Sequence, residues 1–128
     1  MSNEESIQCP CGTIIRDPKQ YKIVFIRKEA LEIDILCPND LCYLKELGYV
    51  KFEVNDDNSI KLIKAEFNTP FVTWNSSRIG YEKTSEELKK HLRKIVLELI
   101  DWDKIKWHLR EGASEAKFED ISKVEGNN

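Results

Sequence analysis

Four cysteines constrain this chain more than any other feature. They are the only cysteines in 128 residues, and they form two pairs: Cys9-Pro10-Cys11-Gly12 and Cys37-Pro38-Asn39-Asp40-Leu41-Cys42. The spacing is C-x-C, then 25 residues, then C-x4-C. Two close pairs divided by a β-like stretch let a small fold build a tetrahedral thiolate site for Zn²⁺. Pro10 fixes one backbone angle, and Gly12 permits the tight geometry in which backbone N–H groups turn toward sulfur. Pro38 suits the second position of a type I turn. Asp40 reads as the N-cap of a short helix over 41–47 that ends at Gly48. Cys42 then falls in its first turn, where the positive helix end favours a thiolate.

The knuckles resemble those of a zinc ribbon, which read C-P-x-C-G. Here the first pair is one residue shorter and the second two residues wider. The spacing is also similar to the C-x-C…C-x-x-C zinc centre of the redox-regulated chaperone family, which releases its metal on oxidation. The first resemblance implies a structural ion and the second a thiol redox switch. Two disulfides are an alternative, but no secretory signal accompanies them, and cytosolic disulfides are uncommon. Four unrelated buried thiols are another, since free cysteine packs as a small hydrophobe. Two proline-containing clusters do not arise readily by chance. The expected ligands are Cys9, Cys11, Cys37 and Cys42 on one Zn²⁺.

Net charge is −3, and charged residues make up 34% of the chain. That is not the basic composition of a dedicated nucleic-acid binder. The stretch Met1-Ser2-Asn3-Glu4-Glu5 is acidic and lacks the apolar core of a signal peptide. No apolar run approaches the length of a membrane span. A cytoplasmic protein with reduced thiols is the expectation.

The pattern predicts an α+β fold: a small antiparallel, zinc-stapled β-sheet followed by a long C-terminal α-helix. Residues 1–112 form one domain, with 1–83 mainly β, and 113–128 form a mobile acidic tail. Residues 1–8 read as disordered, 13–16 as a short strand and Asp17-Pro18 as a turn. Strands over 21–27 and 31–36 flank the turn Arg27-Lys28-Glu29-Ala30, and this hairpin returns Cys37 toward Cys11. Leu31, Ile33 and Ile35 alternate with Glu32 and Asp34. A strand over 49–55 turns at Asn55-Asp56-Asp57-Asn58 into one over 59–67. Its apolar phase slips between Leu62 and Ile63, which indicates a bulge. Asn68-Thr69-Pro70 interrupts, and 71–74 reads as another strand.

A single helix is predicted over 85–111, with Thr84 and Glu87 at capping-box spacing and Gly112 as its stop. Leu88, Leu92, Ile95, Leu99, Trp102 and Leu109 line one stripe, with Val96, Ile100 and Trp107 beside it. The combined arc is wider than one sheet face covers, which implies a homodimer through 85–111.

No acid–base constellation, nucleophile elbow or phosphate loop occurs, so no enzymatic activity is expected. His91 and His108 are 17 residues apart on the predicted helix, too far to share a metal. Trp74, Arg78 and Tyr81 cluster in a predicted loop, and residues of these types anchor interfaces. The function implied is a non-enzymatic protein-interaction module with a structural zinc held by the four cysteines. One alternative is a nucleic-acid-binding accessory protein using the helix face of Lys90, Arg93, Lys94 and Lys104, with 44–50 faintly winged-helix-like. The other is the thiol/zinc redox switch.

Overall fold

The computed structural model describes residues 6–123. The chain is mixed α and β. A two-stranded hairpin, β1 (Ile7–Gln8) and β2 (Ile14–Ile15), precedes a five-stranded antiparallel sheet. That sheet holds β3 (Lys22–Arg27), β4 (Leu31–Leu36), β5 (Glu46–Val54), β6 (Ile60–Phe67) and β7 (Glu115–Ala116), in the order β6-β5-β4-β3-β7. Among the described residues four α-helices complete it: α1 (Thr69–Ile79), α2 (Tyr81–Lys94), α3 (Trp102–Arg110) and the short α4 (Phe118–Ile121).

The sheet has one apolar face because its strands alternate. Ile23 and Phe25 of β3, Ile33 and Ile35 of β4, and Val50 and Phe52 of β5 are buried. Helices cover this face. The Trp102 ring meets Phe52 edge-on at 5.3 Å, and Phe71 of α1 meets Phe67 at 5.3 Å. The other face carries Val24, Ile26, Glu32, Asp34, Tyr49, Lys51, Lys64 and Glu66. The turn between β3 and β4 falls at 28–30, as the alternation predicts. The expected bulge in β6 is present too. Lys51 pairs with Lys64 and Phe52 with Leu62, which leaves Ile63 as the extra residue. A second bulge, between Ile35 and Leu36, lets Leu47 turn inward, where it is fully buried.

Gly48 lies within β5 and ends no helix. It pairs with Ile35 on one side and Phe67 on the other. A Cβ at this position would stand 2.8 Å from the Glu66 carbonyl oxygen and 2.9 Å from the Phe67 ring. The missing side chain is what lets Phe67 lie over this row of the sheet.

Several expectations are corrected. The helix expected over 85–111 is two helices. Residues Ile95–Leu99 form one π-helical turn, Ile100 is extended and bridges Ser122, and α3 starts afresh at Trp102. Asp101 caps α3 by accepting hydrogen bonds from the backbone N–H groups of Asp103 at 3.1 Å and Lys104 at 3.3 Å. The indole of Trp102 donates to the Val96 carbonyl at 2.9 Å. Thr84 is not a cap but lies buried inside α2. Gly112 is the stop, with φ of 79° after α3. The strand expected over 71–74 is α1, which has Asn68 as N-cap and Pro70 in its first turn. No helix forms over 41–47. The tail expected from 113 instead supplies β7, which pairs with β3, and α4, with Ala116 and Ile121 buried. Residues 6–8 are likewise built into β1 and its approach. The rest of both terminal expectations, 1–5 and 124–128, lies outside the described residues. Among the described residues no helix is long and apolar enough to cross a membrane.

The Gly48 contacts set a steric test. Gly48→Ala is expected to destabilise the fold by about 1–3 kcal/mol, since Phe67 or strand β6 must shift. Urea unfolding checks this, and an unchanged midpoint would contradict it.

Candidate metal centre

Each cysteine is placed by a short turn. In the first knuckle the Gly12 N–H donates to the Cys9 carbonyl at 2.8 Å, and the Cys9 N–H donates to Thr13 at 2.8 Å. Gly12 has φ of 104°, which only glycine adopts without strain. In the second, the Cys37 N–H donates to the Lys45 carbonyl at 2.8 Å and the Cys42 N–H to Asn39 at 3.0 Å. Asp40 is not a helix cap; it forms an ion pair with Lys22. Asn39 organises the turn instead. Its Oδ1 accepts from the Leu41 N–H at 2.9 Å, and its own N–H points at the Cys37 sulfur at 3.4 Å.

All four sulfurs lie within 4.8 Å of one another. Two contacts run between knuckles: Cys9 Sγ to Cys42 Sγ is 3.5 Å, and Cys11 Sγ to Cys37 Sγ is 3.7 Å. The four cysteines are free thiols, and all but Cys11 are buried. Burial pushes the Cys9 thiol well above its ordinary value. Burial also lifts Cys37 to about 11, although the Asn39 N–H opposes the rise. Cys11 goes the other way. Burial raises it, but hydrogen bonds from the Thr13 hydroxyl, at 3.2 Å, and the Thr13 backbone bring it down to about 6. The cluster therefore sets Cys11, whose thiolate form Thr13 stabilises, beside Cys9 and Cys37, whose charge burial opposes. A cation at the centre would reverse that opposition.

The knuckles are anchored from outside. Asn75 of α1, fully buried, accepts from the Gln8 N–H at 2.8 Å and donates to the Gln8 carbonyl at 2.9 Å. Its side chain thus completes the backbone bonding of β1. Arg78 donates to the Ser6 carbonyl at 3.0 Å and to Asn75 Oδ1 at 3.0 Å. Of the three residues expected to bind a partner, Arg78 is thus half-buried and holds the N-terminal strand. Trp74 and Tyr81 are exposed, one on α1 and one opening α2. Sequence reasoning missed Asn39, Thr13 and Asn75; Asn39, in the Cys-Pro-Asn-Asp turn, was the one with a legible signal.

Neither histidine joins the cysteine cluster. His91 Nδ1 lies 2.8 Å from the Tyr21 hydroxyl, and both side chains are buried. His108 Nε2 lies 3.1 Å from the Asp120 carbonyl. The chain matches no protein-family model, no curated protein and no solved structure. The zinc-ribbon resemblance rests on the cysteines alone.

Burial lowers the His91 pKa from its ordinary 6.5, with Glu87 and Asp17 opposing. Below about pH 6.5 the unfolded chain therefore binds a proton that the folded chain resists. Stability is expected to fall as pH drops below that value. NMR titration of the His91 ring should give a midpoint below 6.5, and a midpoint above it would refute the burial argument.

Proposed function

We propose that the protein is a non-enzymatic module in which Cys9, Cys11, Cys37 and Cys42 bind one structural Zn²⁺. The cross-knuckle sulfur separations carry this reading. Sulfurs 2.3 Å from a tetrahedral zinc stand about 3.8 Å apart. The observed 3.5 and 3.7 Å separations are close to that edge. An all-sulfur donor set suits a soft or borderline ion and leaves no position for water or substrate. Thr13 and Asn39 supply the outer hydrogen bonds that orient such ligands. Binding energy would be folding energy, on the order of 10 kcal/mol in small zinc domains.

Metal content of freshly purified, reduced protein tests the proposal, with one zinc per chain expected. Cys11→Ser or a chelator is expected to strip amide protection from 6–45, while α1 and α2 keep part of theirs. Metal-free protein with four free thiols and an unchanged fold would overturn the zinc reading and the redox alternative together. Cys11, the half-exposed sulfur, favours the redox switch as a second reading. In that case peroxide takes two electrons from a thiol pair, giving water and a disulfide. The facing pairs Cys9–Cys42 and Cys11–Cys37 would then be linked, rather than neighbours within a knuckle. Retention of zinc through mild peroxide favours the structural role.

The module's role would be to bind protein, and self-association is the form we propose. Leu97 and Trp107 stay exposed along the segment expected to dimerise. Leu41 and Tyr43, 91% and 75% exposed, flank buried Cys42 and offer a second apolar surface, alongside Trp74 and Tyr81. A nucleic-acid role is less favoured, because Lys89, Lys90 and Arg93 share their groove with Glu82 and Glu86. Light scattering at about tens of micromolar should give a dimer mass that Leu97→Glu or Trp107→Glu returns to a monomer. A wild-type monomer at that concentration would defeat self-association.

A further inference from the structure

A second group of ligand-type side chains lies on the sheet face away from the core. Glu32 pairs with Lys51, and Asp34 with Tyr49. Glu32 and Asp34 are only 7% and 4% exposed. Buried carboxylates need a compensating charge or donor. The two residues stand two apart on one strand, so their carboxyls share one face of the sheet. Glu46, at the start of β5, adds a third, and the three residues offer ligand oxygens all within 4.8 Å of one another.

The compensation on hand is incomplete. Lys28, on the exposed β3–β4 turn, places Nζ 3.4 Å from Glu32 Oε2 and 3.5 Å from Asp34 Oδ2. Lys51 adds positive charge near Glu32. The Tyr49 hydroxyl is committed to Glu66 at 2.6 Å. Asp34 Oδ1 is buried and has no hydrogen-bond partner among the described residues. A buried carboxylate oxygen beside another carboxyl calls for a proton or a cation. Burial and then Glu32 push the Asp34 carboxyl up to about 7. One shared proton serves two oxygens. Glu46 adds a third negative charge, which the Lys28 ammonium feels without an ion-pair contact, and a divalent cation would join all three.

We propose that Glu32, Asp34 and Glu46 form a binding site for a hard divalent cation of the Ca²⁺ class. Oxygens 2.3–2.6 Å from Ca²⁺ can stand up to about 5 Å apart, which accommodates the observed spread. Mg²⁺, at about 2.1 Å, would require a tighter set. The Lys28 ammonium is the stand-in for the ion: it approaches two of the three ligands on a side chain that is 45% exposed. Oxygen ligands and thiolates select different metals, so this site would not compete with the cysteine centre. Its place is specific. Leu36 and Glu46 pair at the base of the loop that carries Cys37 and Cys42. An ion there would clamp β4 to β5 below the second knuckle.

The test uses the full chain as purified. Ca²⁺ is titrated by calorimetry, and Tb³⁺ by luminescence sensitised through Tyr49. One equivalent of Ca²⁺ is expected, with a Tb³⁺ signal that excess Ca²⁺ reverses. Asp34→Asn and half-buried Glu46→Gln should each weaken binding by about tenfold or more, since ligand charge count sets affinity. Lys28→Ala should tighten it. Circular dichroism checks that each variant folds, and the mild Glu46→Gln change serves if Asp34→Asn does not. No saturable Ca²⁺ binding by folded wild-type protein up to about 1 mM, the weak end for such sites, overturns the proposal and leaves a proton-sharing pair. Equal binding by wild type and a folded ligand variant also overturns it, because the ion then sits elsewhere.

Discussion

Four sulfur atoms gathered within 4.8 Å of one another across two knuckles are the constraint on which the rest of the structure depends. The β1–β2 hairpin has only two paired positions per strand and belongs to a separate sheet. A hairpin that short is not stable alone. The sulfurs join it to the loop between β4 and β5, and Asn75 joins it to α1. The helices can therefore fix the first knuckle from one side while the main sheet fixes the second.

The main sheet supports this arrangement through its irregularities. A regular β4–β5 ladder would carry pairing straight into the knuckle loop. The bulge at Ile35–Leu36 shifts the register there and turns Leu47 into the core. Gly48 follows at once and admits Phe67. Phe67 in turn meets Tyr21 and Phe71, and Tyr21 meets His91. One residue without a side chain thus lets a chain of rings link the sheet to α1 and α2 beside the cysteines.

The sequence made some of this legible and hid the rest for physical reasons. The β3–β4 hairpin and the β6 bulge were readable, because a strand's two-residue period marks both its faces and its slips. The cysteine set was readable because few chemistries use that spacing. Helix α1 was not, because Val72, Thr73 and the small polar residues give it a weak apolar stripe. Its only start signal, Asn68-Thr69-Pro70, also reads as a break. The division at Ile100 was masked by apolar residues on both sides of it. Asp101, with Asp103 in the first turn, was the overlooked cap signature. Strand β7 is two residues long, so its pairing with β3 comes from tertiary packing and has no local pattern.

Strand β4 sets the relation between the two charged groups. Its odd positions, Ile33 and Ile35, enter the core, and its even positions, Glu32 and Asp34, face away. A one-residue slip would exchange these sets and put two carboxylates against Phe25 and Phe52, at a cost no ion pair could offset. Buried acids on the outer face thus oppose misregister, while isoleucines on the inner face favour register. Cys37 follows Leu36 directly, so the same alternation decides where its sulfur arrives. The geometry of the sulfur cluster is therefore set partly by charge placement three to five residues earlier in the strand.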